Sequence, residues 1–347
     1  MISTVAGNGA VVYEDQRERV VFASGVQAPT TRIPALLALA DGSLLAFAEL
    51  RDSPRDAGAI GVGARRSLDQ GETWGPLVTV CGDGVDTFGN PVPVQLSGGR
   101  ILVLTTWNRA ADTERAILDG TSADTRRVHV QHSDDAGATW SAPVDITPQV
   151  KRPEWRWYAT GPGAVEPLSS GRVLIPANHS DPVYGDEAPY RSHVVYSDDG
   201  GETWAIGGVV VKTGTNEAQL TESVDGTVLL YMRDERRGGK RLAASTDGGT
   251  TFGRARRLPF TGPACHGDIL HLADGTLLVT DHAHRKRARL AVRRSLDGGA
   301  TWGSGAIVRQ SSSAYADLAP MPGGGVGILF EAAGDVVFGR VALTAAS

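Results

Sequence analysis

Acidic side chains recur in five nearly identical short segments of this 347-residue sequence, and they are the first candidates for chemistry. A calcium loop of the D-x-D-x-G type would need a second carboxylate and a trailing glutamate, and the segments have neither. We therefore interpret them as tight turns in which Ser and Asp side chains hold the backbone amides. The five copies of S-x-D-x-G-x-T-[W/F] are SLDQGETW at 67–74, SDDAGATW at 133–140, SDDGGETW at 197–204, STDGGTTF at 245–252 and SLDGGATW at 295–302.

The histidines and cysteines form no metal or redox motif. The pair H-x-H at 282–284 has no third ligand at a convincing spacing, and zinc needs three or four ligands. Cys81 and Cys265 are too few for a disulfide framework, and we expect both to be buried thiols. The sequence therefore predicts neither a metal site nor a cofactor.

Arginines form the second pattern with chemical potential. Arg32 lies beside Ile-Pro at the start of an apolar strand, an unusual place for a purely structural cation. The run HAHRKRARLAVRR at 282–294 is basic but alternates as a strand does. The formal net charge of −5 gives no general attraction for nucleic acid, so an anionic ligand would need a local cluster of arginines. The glycines of GAIGVG at 58–63 open no helix, which excludes a dinucleotide-binding turn.

Short strands must position these side chains. Alternating runs such as RVHVQHS and SHVVYS precede the repeated turns, and runs such as GRVLIPA and GTVLLYM begin at a Gly turn. Several strands per repeat, with the termini completing a sixth unit, predict an all-β six-bladed β-propeller formed as one domain by residues 1–347. No apolar run reaches membrane-spanning length and no signal peptide is visible, so we expect no membrane partner. The expected location is the cytoplasm for the sequence as written, or outside the cell if its leader is missing from it.

The repeated turns resemble the Asp-box of the sialidase (neuraminidase) family, the bacterial-type enzymes with BNR repeats in glycoside hydrolase family 33. TRIPALLALADGSLLAFAELR at 31–51 is similar to the family's R-I-P motif and the F-A-E-x-R that follows it. The resemblance continues to a tyrosine at 315 and the FE of 330–331. It implies a sialidase-like six-bladed propeller that hydrolyses sialylated glycans or other ulosonic-acid glycosides as a monomer, without a cofactor.

The resemblance also implies a clamp of three arginines for the carboxylate on the anomeric carbon of the substrate. When the family's spacing is counted forward from the Leu-Leu pair at 229–230, the second arginine of the clamp falls on Arg241. When the residues are counted backward from Ser245, the segment is one residue shorter than the family's spacing. Arg237 therefore stays open as the alternative. Guanidinium groups suit this role because their planar fork binds carboxylates through two hydrogen bonds. The implied clamp is Arg32, Arg241 and Arg287.

The remaining roles implied by the resemblance are those of nucleophile, base and acid. Sialidases use a tyrosine nucleophile, because a carboxylate would be repelled by the substrate carboxylate. Glu222 stays open as an alternative base and Asp52 as an alternative acid. Glu331 is expected to hold Arg32, and Arg51 to support the acid's loop or the substrate carboxylate. The implied catalytic residues are Tyr315 as nucleophile, Glu217 as its base and Asp56 as general acid.

Three other functions remain compatible with the sequence. A hydrolase of the same mechanism could act on a different ulosonic acid, of the KDN or Kdo type, because the clamp reads only the carboxylate. A trans-sialidase would transfer the sugar to another glycan instead of water. A glycan-binding propeller without catalysis is the alternative from another class, although every catalytic role has a candidate residue.

Overall fold

The computed structural model of the chain describes residues 11–13, 18–181 and 189–343, and strands dominate it. The first two strands are β1 Val11–Tyr13 and β2 Arg19–Phe22. Blade 1 contains β3 Thr30–Ala38, β4 Leu44–Arg51, β5 Ile60–Ser67 and β6 Val78–Cys81. Blade 2 contains β7 Thr87–Gln95, β8 Ile101–Asn108, β9 Arg127–Ser133 and β10 Val144–Asp145, with helices α1 Glu114–Asp119 and α2 Thr147–Val150 beside them.

The remaining blades repeat this four-stranded antiparallel unit. Blade 3 contains β11 Tyr158–Thr160, β12 Val173–Ser180, β13 Tyr190–Ser197 and β14 Ala205–Val209. Blade 4 contains β15 Thr215–Glu222, β16 Val228–Asp234, β17 Lys240–Ser245 and β18 Arg256–Arg257. Blade 5 contains β19 Ile269–His271, β20 Leu277–His282, β21 Ala288–Ser295 and the first part of β22 Ala306–Pro320. Blade 6 contains the rest of β22, β23 Val326–Ala332 and β24 Asp335–Leu343.

The two ends of the chain meet in blade 6. Both β1 and β2 pair antiparallel with β24, so the start of the chain supplies the outer edge of the last blade. Neighbouring blades contact one another around a ring through their inner strands, with β12 meeting β15 between blades 3 and 4, and β22 returns to contact β3. The structure therefore confirms the predicted six-bladed β-propeller, with the first strand of every blade at the centre. No helix in the described part of the chain is long and apolar enough to cross a membrane.

The five repeated segments form the turns between the third and fourth strands of blades 1 to 5. In the first, Ser67 Oγ donates to Asp69 Oδ1 at 2.8 Å, and the Thr73 amide donates to the same oxygen at 2.8 Å. Gly71 has a φ of +87°, and a Cβ atom there would lie 2.2 Å from the ring of Phe338 in blade 6. The turns are thus structural clips that also pack one blade against the preceding one.

Aromatic side chains of the clips extend this packing between blades. Trp74 meets the ring of Phe338 edge-on with centroids 5.6 Å apart, and Trp302 meets Phe260 in the same way at 5.5 Å. Because such rings bury a large apolar area, each clip contributes to the core between adjacent blades. The strands are held in a rigid ring, and the side chains at the strand ends can be positioned accurately.

Candidate active site

A pocket of about 250 Å³ lies at one end of the central channel. It brings together side chains from all six blades, and the first and last of them, Arg32 and Tyr315, are 283 residues apart in sequence. Among the described residues, no three His, Cys, Asp or Glu side chains come together as a metal site. The predicted residues that line the pocket are Arg32, Arg51, Asp56, Glu217, Arg287 and Tyr315.

Irregular pairing at the central strands directs several of these side chains into the pocket. The register with the second strand shifts between Arg32 and Ala35 in β3, and between residues 215 and 218 in β15, where Glu217 lies. It also shifts between residues 313 and 316 in β22, where Tyr315 lies. A β-bulge breaks the regular alternation of side chains and is frequent beside active sites. The bulges therefore turn functional side chains away from the sheet and toward the channel.

Ile33 shows that the first bulge is strained. Its φ of 56° lies in the left-handed region, which a β-branched residue rarely adopts. The Ile33 amide donates a 2.9 Å hydrogen bond to Glu331 Oε1, and the Nε of Arg32 lies 3.2 Å from the same oxygen. Glu331 thus holds both the strained backbone and the neighbouring guanidinium group from the opposite side of the closure between blades 6 and 1.

A tyrosine, a glutamate and an arginine form the centre of the pocket. Tyr315 donates a short hydrogen bond to Glu217 Oε1, and Arg233 Nη1 donates to Glu217 Oε2 at 2.7 Å. Arg233 Nη1 also lies 3.4 Å from the Tyr315 hydroxyl. Burial opposes ionisation of Glu217, but the charge of Arg233, together with His266 and the hydrogen bonds from Tyr315 and Arg233, outweighs burial and lowers the pKa of this carboxyl group to about 2. The glutamate is therefore ionised and placed to accept the phenol proton.

The phenol itself is protonated beside this glutamate. Burial and then the negative charge of Glu217 raise the pKa of Tyr315 well above its ordinary value. Two more arginines lie against the ring, with the Cζ of Arg32 5.3 Å and that of Arg287 5.6 Å from its centroid. Arg287 donates only to the carbonyl of Ala264 and has no ion pair within the described chain. Its positive charge is available to an anionic ligand.

Asp56 lies at the mouth of the pocket on the loop after β4. Its Oδ1 accepts from Arg51 Nη1 at 2.7 Å and from Arg32 Nη1 at 3.3 Å, and its side chain is 75% exposed. Arg51 is buried and also donates to Glu49 Oε2 at 2.7 Å. Arg51 therefore supports the loop carboxylate from below. The alternative acid, Asp52, does not line the pocket.

Arg241 does not reach the pocket, and this corrects the expectation for the second clamp arginine. Arg241 pairs with Met232 across β16 and β17, so the two side chains share one face of the blade, as does Asp234 two residues on. Arg241 Nε accordingly donates to Asp234 Oδ2 at 2.9 Å, and Arg237 lines the same outer groove. Arg233 projects from the opposite face and occupies the position expected of Arg241.

The register of the hairpin formed by β15 and β16 could have identified Arg233 from the sequence. The Asp-Gly turn at 225–226 joins β15 to β16, and the register Glu222↔Val228 continued along the two strands brings Glu217 beside Arg233. The alternative base, Glu222, lies at the far end of β15, where it accepts from the amide of Ser169 at 2.6 Å. The five-residue separation thus places the two glutamates at opposite ends of the strand.

Sequence reasoning also missed a polar wall formed by blades 2 and 3. Arg126 is only 3% exposed and its Cζ lies 4.1 Å from the ring centroid of Trp157. It donates through Nη2 to Asn90 Oδ1 at 3.0 Å and to Thr106 Oγ1 at 2.9 Å, but its Nε has no partner among the described residues. Burial lowers the pKa of Arg126 to about 10. Arg126 is thus a buried cation with no carboxylate partner in the described part of the chain, and it faces the pocket from the side away from Tyr315.

Comparison with known proteins gives a consistent result. The profile of the family described as a BNR repeat-like domain matches residues 42–328. An exo-alpha-sialidase of Arthroderma benhamiae is 30% identical over 299 residues, which cover 80% of this chain and 69% of that protein. A sialidase of Bacteroides fragilis is 29% identical over 296 residues, which cover 78% of this chain and 54% of that protein.

Solved structures agree with the sequence matches. The Hadza microbial sialidase Hz136 superposes with a TM-score of 0.83 at 27% identity, covering 94% of this chain and 68% of that one. The chain spans about half the length of the Bacteroides fragilis relative. With the family profile matched over most of the sequence and the propeller and its pocket in place, the chain belongs to the sialidase family of BNR-repeat proteins.

Proposed function

We propose that the protein is a retaining exo-α-sialidase that removes terminal sialic acids from glycans through a tyrosyl-linked intermediate. The observation that carries this proposal is the hydrogen-bonded set of Tyr315, Glu217 and Arg233, with the cations Arg32 and Arg287 on the phenol ring. Relatives named sialidases over most of this chain support the same activity.

The substrate carboxylate binds the three arginines Arg32, Arg233 and Arg287. Arg287 is the strongest support, because its charge has no carboxylate partner within the described chain. Arg32 is oriented by Glu331 on one side and by Asp56 on the other, which fixes its guanidinium group beside the ring of Tyr315. Guanidinium groups fixed in this way bind a carboxylate with little loss of conformational entropy.

The first chemical step forms a bond between the Tyr315 oxygen and the anomeric carbon C2 of the sugar. The phenol proton passes to Glu217, and Asp56 gives a proton to the leaving oxygen as the bond from C2 to that oxygen breaks. Water then attacks C2 with Asp56 as base, and the phenol recovers its proton from Glu217. Two displacements at C2 give net retention of configuration.

Substrate binding also changes the basicity of Glu217. A carboxyl group with a pKa of about 2 is a weak base for a phenol whose pKa is raised. The substrate carboxylate shares the positive charge of Arg233, so the hold of Arg233 on Glu217 weakens and the glutamate becomes more basic. The base is thereby activated when the substrate is bound.

A fluorogenic sialoside tests the proposal. Wild-type protein should release the fluorophore, and Tyr315→Phe should lose most turnover because it removes only the attacking oxygen. Tyr196→Phe is a matched control, since this half-buried tyrosine packs against Arg172 outside the pocket. No release by wild type between about pH 4 and pH 8, or full activity of Tyr315→Phe, would contradict the proposal.

Arg126 favours a second candidate, a hydrolase of the same mechanism for an ulosonic acid with a hydroxyl group at C5. In the six-membered sugar ring C5 lies directly opposite C2, so its substituent faces the wall away from Tyr315. Arg126 and Asn90 offer hydrogen-bond donors on that wall. A hydroxyl oxygen accepts such bonds in any orientation, whereas an N-acetyl substituent can accept them only if its carbonyl oxygen, and not its methyl group, faces the buried guanidinium.

Paired substrates separate the two candidates. The same aryl leaving group is attached to the N-acetylated sugar and to its 5-hydroxy counterpart, and kcat/KM is compared. If Arg126 reads the C5 hydroxyl, Arg126→Leu lowers kcat/KM for the 5-hydroxy substrate by roughly 10-fold to 100-fold and affects the N-acetylated one much less. Equal losses on both substrates would mean that Arg126 does not distinguish the two substituents and would contradict this candidate.

A further inference from the structure

A groove of about 910 Å³ lies on the outside of the propeller between blades 3 and 4, and we call it the outer groove. One wall is the loop of residues 211–213, which joins β14 to β15. The turn between β16 and β17 and the segment of residues 252–255 before β18 form the other walls. The outer groove therefore draws its side chains from three separate segments of the chain.

The hairpin of β16 and β17 separates the outer groove from the active-site pocket. Arg233 lines the pocket, whereas the next residue, Asp234, lines the groove, because neighbouring side chains of a strand lie on opposite faces. In the turn that follows, Glu235 lines the pocket and Arg236 lines the groove. The two cavities thus lie on the two sides of one hairpin and have no described lining residue in common.

Positive charge dominates the outer groove. Asp234 is the one carboxylate among its described lining residues, and it is 2% exposed. Its Oδ2 accepts from Arg241 Nε at 2.9 Å and from Arg257 Nη1 at 3.1 Å, so two guanidinium groups share one negative charge. Three more cations line the groove, are exposed and have no ion pair with any described residue, namely Lys212, Arg237 and Arg254.

This charge indicates a site for an anionic ligand. The whole chain has a formal net charge of −5, so the outer groove reverses the sign of the charge locally. Cations that converge in one groove raise the local concentration of anions. Guanidinium groups bind carboxylates and tetrahedral oxyanions through two parallel N–H···O bonds. Because the cations come from three segments, they match an extended ligand with several negative groups better than one small ion.

The uncharged part of the lining favours a sugar polymer over a nucleic acid. Grooves that hold single-stranded nucleic acids have several aromatic side chains on which successive bases stack. Phe252 is the one aromatic residue among the described residues of the outer groove, and it is half-buried. Val211 is 78% exposed and Thr213 offers a hydroxyl group, a combination that matches the C–H faces and hydroxyl groups of sugars.

We propose that the outer groove binds an acidic polysaccharide through sulfate or carboxylate groups spaced along its chain. The choice of a sugar polymer rests in part on the proposed function, since an enzyme of glycans works on surfaces coated with them. Binding in the outer groove holds the protein on such a surface and leaves the pocket, on the other side of the hairpin, open to substrate. The groove takes no part in bond cleavage.

Chondroitin sulfate tests the proposal, because it carries sulfate and carboxylate groups but no sialic acid. Its binding is therefore measured independently of turnover, by fluorescence anisotropy of an end-labelled chain. Wild-type protein should bind at about 50 mM salt and lose most of its affinity at about 500 mM, where salt screens exposed charges. The triple variant Lys212→Gln, Arg237→Gln, Arg254→Gln should lower the affinity at low salt by roughly tenfold.

A second triple variant controls for net charge. Arg109→Gln, Arg152→Gln and Lys286→Gln remove three charges from exposed positions outside the outer groove. This control should keep the affinity within about twofold of wild type. Chondroitin without its sulfate groups identifies the groups that bind: retained affinity assigns the contact to the carboxylates, and lost affinity assigns it to the sulfates. Thermal unfolding checks that both variants keep the fold.

Three results would overturn the proposal. One is a lack of binding by wild-type protein at low salt. Another is an equal loss in the two triple variants, which would reflect net charge alone. The third is tighter binding of a single-stranded DNA of equal charge, which would assign the groove to nucleic acid.

The hydrolase function is tested separately from the groove. The groove triple variant should release the fluorophore from the sialoside within about twofold of the wild-type rate, because it changes no residue of the pocket. Wild-type protein that binds chondroitin sulfate but hydrolyses no sialoside would refute the hydrolase function and leave the groove assignment in place. Wild-type protein that hydrolyses the sialoside but binds no chondroitin sulfate would do the reverse.

Discussion

Arg233 and Arg241 offer a matched pair of substitutions that tests how the pocket is assembled. Arg233→Met removes the cation that contacts both Glu217 and Tyr315. Arg241→Met removes a cation from the neighbouring strand whose partner, Asp234, lies outside the pocket. Methionine keeps most of the length and apolar volume of the arginine stem in both variants.

The two variants should differ strongly in activity. Truncating one partner of a buried, hydrogen-bonded charge pair costs about 2 to 5 kcal/mol, and Arg233 is proposed to pair with the substrate carboxylate. We therefore expect Arg233→Met to lower kcat/KM by roughly 30-fold to 3,000-fold. Arg241→Met should stay within about threefold of wild type, because it touches no group near the reacting atoms.

Stability gives a second measure of the same contact. The pKa of Glu217 falls from an ordinary 4.5 to about 2, which corresponds to roughly 3 kcal/mol of stabilisation above pH 4.5 that is lost as the pH falls toward 2. Without Arg233, burial raises the pKa of Glu217, so Arg233→Met loses stability as the pH rises above 4.5. Its deficit in unfolding free energy should be larger at pH 7 than at pH 4, as urea titration would show.

Two results would refute this reasoning. One is near wild-type kcat/KM for Arg233→Met combined with a large loss for Arg241→Met, since the strand faces would then be assigned the wrong way round. The other is a stability deficit of Arg233→Met that does not change with pH. That result would mean that Arg233 does not set the ionisation of Glu217.

Two further predictions concern the support of the pocket and of the ring. Glu331→Gln weakens the contacts with Arg32 and the strained Ile33. We therefore expect kcat/KM to fall by about tenfold and the midpoint of thermal unfolding to fall as well. Glu222→Gln, the control, should change neither quantity. Asp199→Asn breaks the third repeated turn, where hydrogen bonds from Thr203 lower the pKa of Asp199 to about 2. The midpoint of thermal unfolding should drop by roughly 2 °C at pH 7, and KM should stay unchanged. The difference in midpoint between this variant and wild type should disappear as the pH falls below about 4 and approaches 2. A shift in KM would contradict a purely structural role.

The repeated turns were predictable because their interactions are local. Ser67, Asp69 and Thr73 bond to one another within seven residues, so the residue types and their spacing nearly determine the geometry. Strand periodicity and the turns between strands are equally local. Once five such units are recognised, a sixth follows if the two ends of the chain complete it, and a closed ring buries both faces of each sheet.

The error at Arg241 shows where residue counting fails. Arg233 and Arg241 lie on paired strands of one hairpin, but their side chains point to opposite faces of the blade. A count along the sequence cannot distinguish the faces unless the register of the hairpin is used. The register given by the turn at Asp225 and Gly226 assigns Arg233 to the face of Glu217.

By itself the sequence determined the strands, the clips and the kind of chemistry, because hydrogen bonds within a turn and side-chain alternation along a strand act over a few residues. Only the tertiary structure decided which side chains meet. Arg32 contacts Glu331 across 299 residues because the ring closes between blades 6 and 1, and Arg126 faces the pocket because blades 2 and 3 bury it beside Trp157. These contacts depend on ring closure and on bulges in the central strands, neither of which leaves a pattern in the local sequence.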